Sequence, residues 1–306
     1  MLGLAAAGFI IYANAAIFAR HLRGIINKRK RLSRKGRLAR LIWHALGLLM
    51  ALSVYDAFRR EPNAVKLYRV TLQTPKLQRG TSLSIVQLSD LHLEGYGARE
   101  TRAVHIVRQV RPDVIFLTGD YLNSQDQKTR GDLRRLVREL DHIAPVYFVF
   151  GNWDADGESV ILQQAGAVPI EGRILRIRPG GHEIVLIGAG WYHIRSMRGF
   201  GGVMNPKLPH IVLAHMPDGF EKSALLGVDL YLCGHTHGGQ VRLPIFGALL
   251  PDPGLVAKYQ AGLYRLGNSW LYVNRGLGME GGPISVRFCC RPEVTAINLQ
   301  GTGGGR

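Results

Sequence analysis

Cysteine is scarce in this 306-residue chain, limited to Cys233, Cys289 and Cys290. Three thiols, two of them adjacent, exclude a disulfide framework and leave the redox compartment unread. Cys233 lies inside an apolar run and reads as a small buried hydrophobe. Acid is nearly missing from the N-terminus, where residues 1–60 hold 12 Lys/Arg against Asp56 alone. The other 246 residues carry 27 Lys/Arg and 21 Asp/Glu. Of the formal charge of +17, +11 therefore sits in the first 60 residues and +6 in the rest. Charge this localised gives the body no specific nucleic-acid signature. No P-loop, Gly-x-Ser-x-Gly elbow or cysteine-rich zinc module occurs. One Gly-x-Gly-x-x-Gly match, Gly276 to Gly281, follows a strand-like run. Pro283 to Cys290 then reads as strand, where dinucleotide binding requires a helix.

Two apolar runs of 18 residues, Leu2 to Ala19 and Leu41 to Phe58, flank a segment with ten Lys/Arg and no acid, Arg20 to Arg40. Each run would reach roughly 27 Å as a helix, close to the hydrocarbon thickness of about 30 Å. A hairpin of two spans, or one signal-anchor at 41–58, keeps the basic loop in the cytoplasm and the downstream domain outside. The alternative is a basic amphipathic element lying on anionic lipid, with the domain inside. Both readings attach region 1–60 to the cell membrane.

Beyond it, 61–81 reads as a linker running into an edge strand, 82–300 as one folded domain, and 301–306 (GTGGGR) as a disordered tail. Strand-like Ser82–Leu88, Asp113–Thr118 and Val146–Phe150 alternate with helical Arg99–Val110 and Arg130–Asp141, the rhythm of parallel βαβ units. His182–Ile187, His210–Ala214, Leu230–Cys233, Trp270–Val273 and Arg287–Leu299 read as further strands, with one helix around Ala224. The expectation is an α/β fold of two packed sheets with helices outside.

Five short motifs punctuate this rhythm: Asp90-Leu91-His92, Gly119-Asp120, Gly151-Asn152, His215 and Gly234-His235-Thr236-His237. Several fall where an apolar strand breaks into a polar or glycine-rich turn, the end of an α/β sheet at which sites gather. Asp-x-His alone means little, and Gly-Asp or Gly-Asn alone is an ordinary turn. Together they supply two carboxylates, four imidazoles and one amide, too many ligands for one tetrahedral ion. They suit two ions sharing a carboxylate, a device for hydrolysing phosphate esters. Two dications with Asp90 and Asp120 leave a net positive site, attractive to a phosphate anion.

With these motifs in place, residues 82–240 resemble the calcineurin-like metallophosphoesterase superfamily. The continuation is similar to its membrane-associated bacterial branch, through Gly238-Gly239-Gln240 with Arg242 and Pro244, Asn274-Arg275-Gly276, and Arg287 to Pro292-Glu293. The resemblance implies a four-layer α/β/β/α sandwich and two divalent ions, Mn, Fe, Zn or Mg. It implies that Asp90, His92 and His237 hold the first ion, and Asn152, His215 and His235 the second. Asp120 would bridge both and orient the attacking hydroxide. Asn152, Trp153 and Arg242 would meet the phosphate. The family usually has a histidine after the asparagine of its third motif, and Trp153 stands there instead. An indole cannot act as a proton donor at neutral pH. His193 is a candidate replacement acid, although a lone histidine is more often a loop residue. Enzymes resembling UDP-2,3-diacylglucosamine pyrophosphatases of lipid A synthesis also vary at this position. The expectation is hydrolysis of a phosphodiester or pyrophosphate in a lipid or envelope substrate. A metal-binding protein without activity is the alternative.

Overall fold

The computed structural model describes residues 33–190, 205–243, 245–249, 258–280 and 285–304, with a few isolated residues between 12 and 20. Most of the first apolar run and the candidate acid His193 lie outside this described set. The second run falls in α1 (Arg34–Tyr55), begun by the Ser33 hydroxyl accepting from Gly36 N. Its 22 residues span roughly 33 Å, enough to cross a bilayer. Leu41, 66 % exposed, and Leu46 and Leu49 stand free of the domain, so α1 is not a core helix. The helix does not end in a linker as expected. A π-helical turn (Asp56–Arg60) and a 3-10 turn (Glu61–Asn63) continue it, and Ala57, Glu61 and Pro62 are buried against the domain.

The strands are β1 (Lys66–Gln78), β2 (Ser82–Leu88), β3 (Val114–Leu117), β4 (Val146–Phe148), β5 (Val168–Pro169), β6 (Ile174–Ile177), β7 (Ile184–Ala189) and β8 (His210–Ala214). They continue with β9 (Leu230–Cys233), β10 (Arg242–Leu243), β11 (Gly247–Ala248), β12 (Gly262–Leu266), β13 (Ser269–Val273) and β14 (Glu293–Gly303). One six-stranded sheet runs β1-β14-β2-β3-β4-β5 and the other β12-β13-β9-β8-β7-β6, while β10 and β11 form a separate hairpin. Strands β2 to β5 are mutually parallel, as are β7 to β9.

Both faces of the central strands are covered, which explains their continuous apolar runs. In β2, Leu83 and Ile85 pack between the sheets against Leu186, Ile211 and Leu232. Val86 and Leu88 point the other way, under helices α2 (Ala98–Val110), α3 (Gln127–Asp141) and α4 (Asp156–Gln164). On the far face, Val212 and Tyr231 meet Phe220 of α5 (Phe220–Leu225). The layers are therefore helix, sheet, sheet, helix. Each fully buried Leu or Ile contributes roughly 1.5–3 kcal/mol to holding them together.

Helix α3 starts three residues earlier than the periodicity suggests. The Asp126 side chain accepts from Thr129 N at 2.9 Å and caps it. Leu133, Leu136, Val137 and Leu140 form its buried stripe.

Two expectations near the C-terminus are corrected. The run Arg287–Leu299 is continuous strand only from Glu293, because Arg287 is fully buried in an irregular segment, donating to the carbonyls of Arg275, Gly276, Gly278 and Cys290. The tail is ordered strand as far as Gly303, not free from 301. Gly301 pairs with Thr74 of β1, and a Cβ there would overlap the Gln78 carbonyl.

Candidate metal centre

Strands β2, β3 and β4 of one sheet and β8 and β9 of the other end at a common rim. Asp90 and His92 follow β2, Asp120 follows β3, Asn152 follows β4, His215 follows β8, and His235 and His237 follow β9. Backbone bonds splice the loops together: Asp90 N donates to Gly119 O (2.9 Å), His92 N to Asp120 O (3.0 Å) and Gly234 N to His215 O (2.9 Å).

The expected ligands gather into two groups. Asp90, His92 and His237 bring three donor atoms within 4.8 Å of one another, and Asp120, His215 and His235 do the same. Asn152 joins the second group, its Oδ1 2.9 Å from His215 Nε2. Oδ2 of Asp120 faces both groups, 3.5 Å from His92 Nε2 and 3.2 Å from His215 Nε2. One carboxylate thus stands between two clusters of nitrogen and oxygen donors.

Asp90 and His92, two positions apart, reach the same cluster. Neither residue is extended. Asp90, His92, Asp120, His235 and His237 all have positive φ, between 38° and 69°. Each left-handed residue costs on the order of 1–3 kcal/mol, strain that the spliced loops hold in place. The glycines act through space as well as freedom. Gly119 does have φ +96°, but Gly151 has no unusual φ; a Cβ on it would overlap Asp120 Oδ1. A Cβ on Gly234 would likewise overlap the Asp90 carboxylate.

The donor set fits divalent ions. His92 Nε2 and both ring nitrogens of His237 are buried and find no hydrogen-bond partner among the described residues. Leaving such groups unpaired is costly unless something else takes their lone pairs. Electrostatics agree. Burial raises the Asp90 carboxyl to about 6. Burial also opposes charge on Asp120, yet His215 and His92 hold it well below the usual carboxylate range. His215 is pushed up to about 9, because Asp120 and Asp90 outweigh the burial that would lower it. His237 is driven well down by burial, with His92 and Arg287 adding to it. Anions this buried demand nearby cations, a demand that a divalent ion would meet.

Supporting residues escaped the sequence reading. Asp154 is buried, its two oxygens accepting from the backbone N–H groups of Asp120, Tyr121 and Gly151 at 2.7–2.8 Å. Burial, then the Asp120 charge, raises its carboxyl to about 7. Its only signal was its place in Gly-Asn-Trp-Asp. Asn123 Oδ1 lies 2.6 Å from His92 Nδ1 and orients that ring. The Thr118 carbonyl does the same for His215 Nδ1 at 2.8 Å. Glu280 Oε2 comes within 4.0 Å of His237 Nε2.

Of the expected phosphate contacts, Trp153 is 54 % exposed at the rim, with its ring centroid 6.3 Å from that of His92. Its backbone N donates to Asp120 Oδ1 at 3.0 Å. Arg242 Nη1 donates to the Gly238 carbonyl at 2.6 Å, so part of its guanidinium supports the metal-site loop.

Residues 83–239 match the family model described as calcineurin-like phosphoesterase. The chain belongs to the calcineurin-like phosphoesterase family. It is accordingly a hydrolase of phosphoric esters, in a family that uses divalent metals. It is 31 % identical over 274 residues to the uncharacterized metallophosphoesterase YkuE of Bacillus subtilis, covering 84 % of this chain and 94 % of that one. It is 31 % identical over 258 residues to the phosphodiesterase YaeI of Escherichia coli, covering 78 % and 90 %. A transmembrane protein with metallophosphoesterase domain from Danio rerio is 30 % identical over 281 residues, covering 84 % of this chain and 62 % of that protein.

Proposed function

We propose that this protein is a membrane-tethered phosphodiesterase that works with two divalent ions. The observation that carries the reading is the Asp120 carboxylate, facing His92 in one cluster and His215 in the other. Asp90, His92 and His237 would hold one ion; Asn152, His215 and His235 the other; Asp120 would contact both. Bound there, two dications polarise phosphoryl oxygens and make a water nucleophilic at neutral pH.

The chain's own residues set the rest. Asn123 and the Thr118 carbonyl keep the His92 and His215 rings turned so that Nε2 faces the cluster. Asp154 and the Trp153 N–H hold the Asp120 loop and carboxylate in place. Trp153 offers a flat apolar surface at the rim and no acidic proton for a leaving alkoxide. A phosphate leaving group, or an acidic ester oxygen, needs less protonation. This favours a diester or pyrophosphate over a simple alkyl monoester, and the Escherichia coli relative is named a phosphodiesterase.

Helix α1 supports a membrane tether, and the Danio rerio relative is named transmembrane. The substrate class we infer is an amphiphilic phosphodiester or pyrophosphate of a lipid or envelope component, of which UDP-2,3-diacylglucosamine is one example. The basic segment before α1 favours a catalytic domain on the outer face, by the tendency of Lys/Arg-rich loops to stay in the cytoplasm. The test is turnover of bis-p-nitrophenyl phosphate by the full chain in detergent with Mn²⁺, lost in Asp120→Ala. Two equivalents of bound metal without turnover of any diester would favour the non-catalytic reading.

A further inference from the structure

The hairpin of β10 and β11 grows straight out of the loop that carries His237. Its register is Arg242 opposite Ala248 and Leu243 opposite Gly247. The tip leaves large apolar side chains uncovered: Ile245 is 102 % and Phe246 84 % exposed, with Leu243 and Leu249 exposed beside them. Ile245 also has φ +75°, a conformation that β-branched residues avoid. A cluster of this kind at a protruding tip marks an interaction surface.

One segment says which surface. Residues 287–290 bond to the hairpin base on one side, with Arg242 N donating to Phe288 O (2.8 Å) and Phe288 N to Gln240 O (2.9 Å). On the other side they bond to the root of α1. Arg287 N donates to Ala57 O (3.1 Å), and Cys290 N to the Glu61 carboxylate. The hairpin base and the helix root are therefore stitched to the same few residues. From Gly239 to the tip is at most about 20 Å of extended chain. Around the helix root, Arg59 and Arg291 are exposed, and Arg60 is exposed but paired with Asp56 at 2.8 Å; basic residues of this kind attract anionic headgroups.

We propose that the tip Ile245–Phe246 inserts into the interface of the same bilayer that holds α1. This rests on reading α1 as the tether. A single helix leaves a domain free to turn about the helix axis, and a second contact ends that freedom. The His237 loop lies between the two contacts in the chain of hydrogen bonds, since Cys290 Sγ also meets the His237 carbonyl at 3.3 Å. The metal site is thereby held close to the lipid surface, where an amphiphilic phosphodiester presents its headgroup.

The test uses the full chain with Cys289→Ser, so that no exposed thiol remains among the described residues, in vesicles of phosphatidylcholine and phosphatidylglycerol. A fluorescent NBD label is placed in turn at Phe246→Cys, at Leu46→Cys in α1 and at Arg102→Cys on exposed α2. We expect blue-shifted emission and quenching by doxyl-labelled lipid at 246 and 46, with neither at 102. Quenching at 46 without quenching at 246 overturns the hairpin contact and leaves the tether standing. A blue shift at 246 without lipid quenching means a protein covers the tip, and also overturns it. Quenching at neither site overturns tether and hairpin contact together.

Discussion

Oδ2 of Asp120 lies 3.2 Å from Nε2 of His215, and the same oxygen lies 3.5 Å from Nε2 of His92. That one oxygen thus faces an imidazole of each cluster. Asp120→Ala should therefore lose both equivalents of metal, whereas His237→Ala should lose mainly the one held with Asp90 and His92. Elemental analysis of the purified variants checks this. Two equivalents retained in Asp120→Ala would remove Asp120 from the bridging position.

Asp154 touches no expected ligand side chain, yet it accepts three backbone N–H groups around the Asp120 loop. Asp154→Asn turns one acceptor oxygen into a donor facing N–H groups. Leaving buried donors unpaired costs about 1–3 kcal/mol each. We expect a Tm lower by several degrees and metal affinity weakened roughly 10- to 100-fold. Thermal unfolding and metal titration of the same sample read both effects, and unchanged affinity would make Asp154 a purely structural residue.

Gly151→Ala separates space from flexibility. The glycine has an ordinary φ, so alanine strains no backbone there, but its Cβ would displace Asp120 Oδ1. The variant should fold with near-native circular dichroism and bind less than two equivalents of metal. Full metal loading would show that the loop moves aside at little cost.

Trp153→His introduces the histidine that the family resemblance leads one to expect beside the asparagine. General acid catalysis is worth about 10²–10⁴-fold. The variant should gain kcat/KM on an alkyl phosphate relative to a diester, by less than that range because nothing orients a grafted imidazole. An unchanged ratio would mean that position 153 does not set leaving-group preference.

Topology is open to fusion reporters. Alkaline phosphatase joined at the C-terminus should be active, and a green fluorescent protein fusion dark after export. The opposite pattern puts the catalytic domain in the cytoplasm, where a nucleotide-linked lipid is far easier to supply.

The expected ligand residues were legible in the sequence because each is tied to a local event. A buried strand ends, a glycine precedes in three of the five motifs, and a carboxylate, amide or imidazole appears within four positions. The strands themselves, Ser82–Leu88 and Leu230–Cys233 among them, announced themselves as apolar runs long enough to be covered on both faces. The second apolar segment was legible for the same reason, since hydropathy alone requires α1 to find an apolar environment.

Tertiary structure decided what depends on partners far apart in the chain. Asn123 supports His92 across 31 positions, and Glu61 meets Cys290 across 229, contacts with no periodicity to betray them. Arg287 lay in a run that looked extended, and burial turned it into a clasp for four carbonyls. The glycine-rich tail gained order because β1 offered a strand edge to pair with. The left-handed backbone of five expected ligands exists only because neighbouring loops hold it, which no single segment could specify. Residue identity chose the chemistry of the site, and long-range packing chose its geometry, because each loop alone relaxes to cheaper conformations.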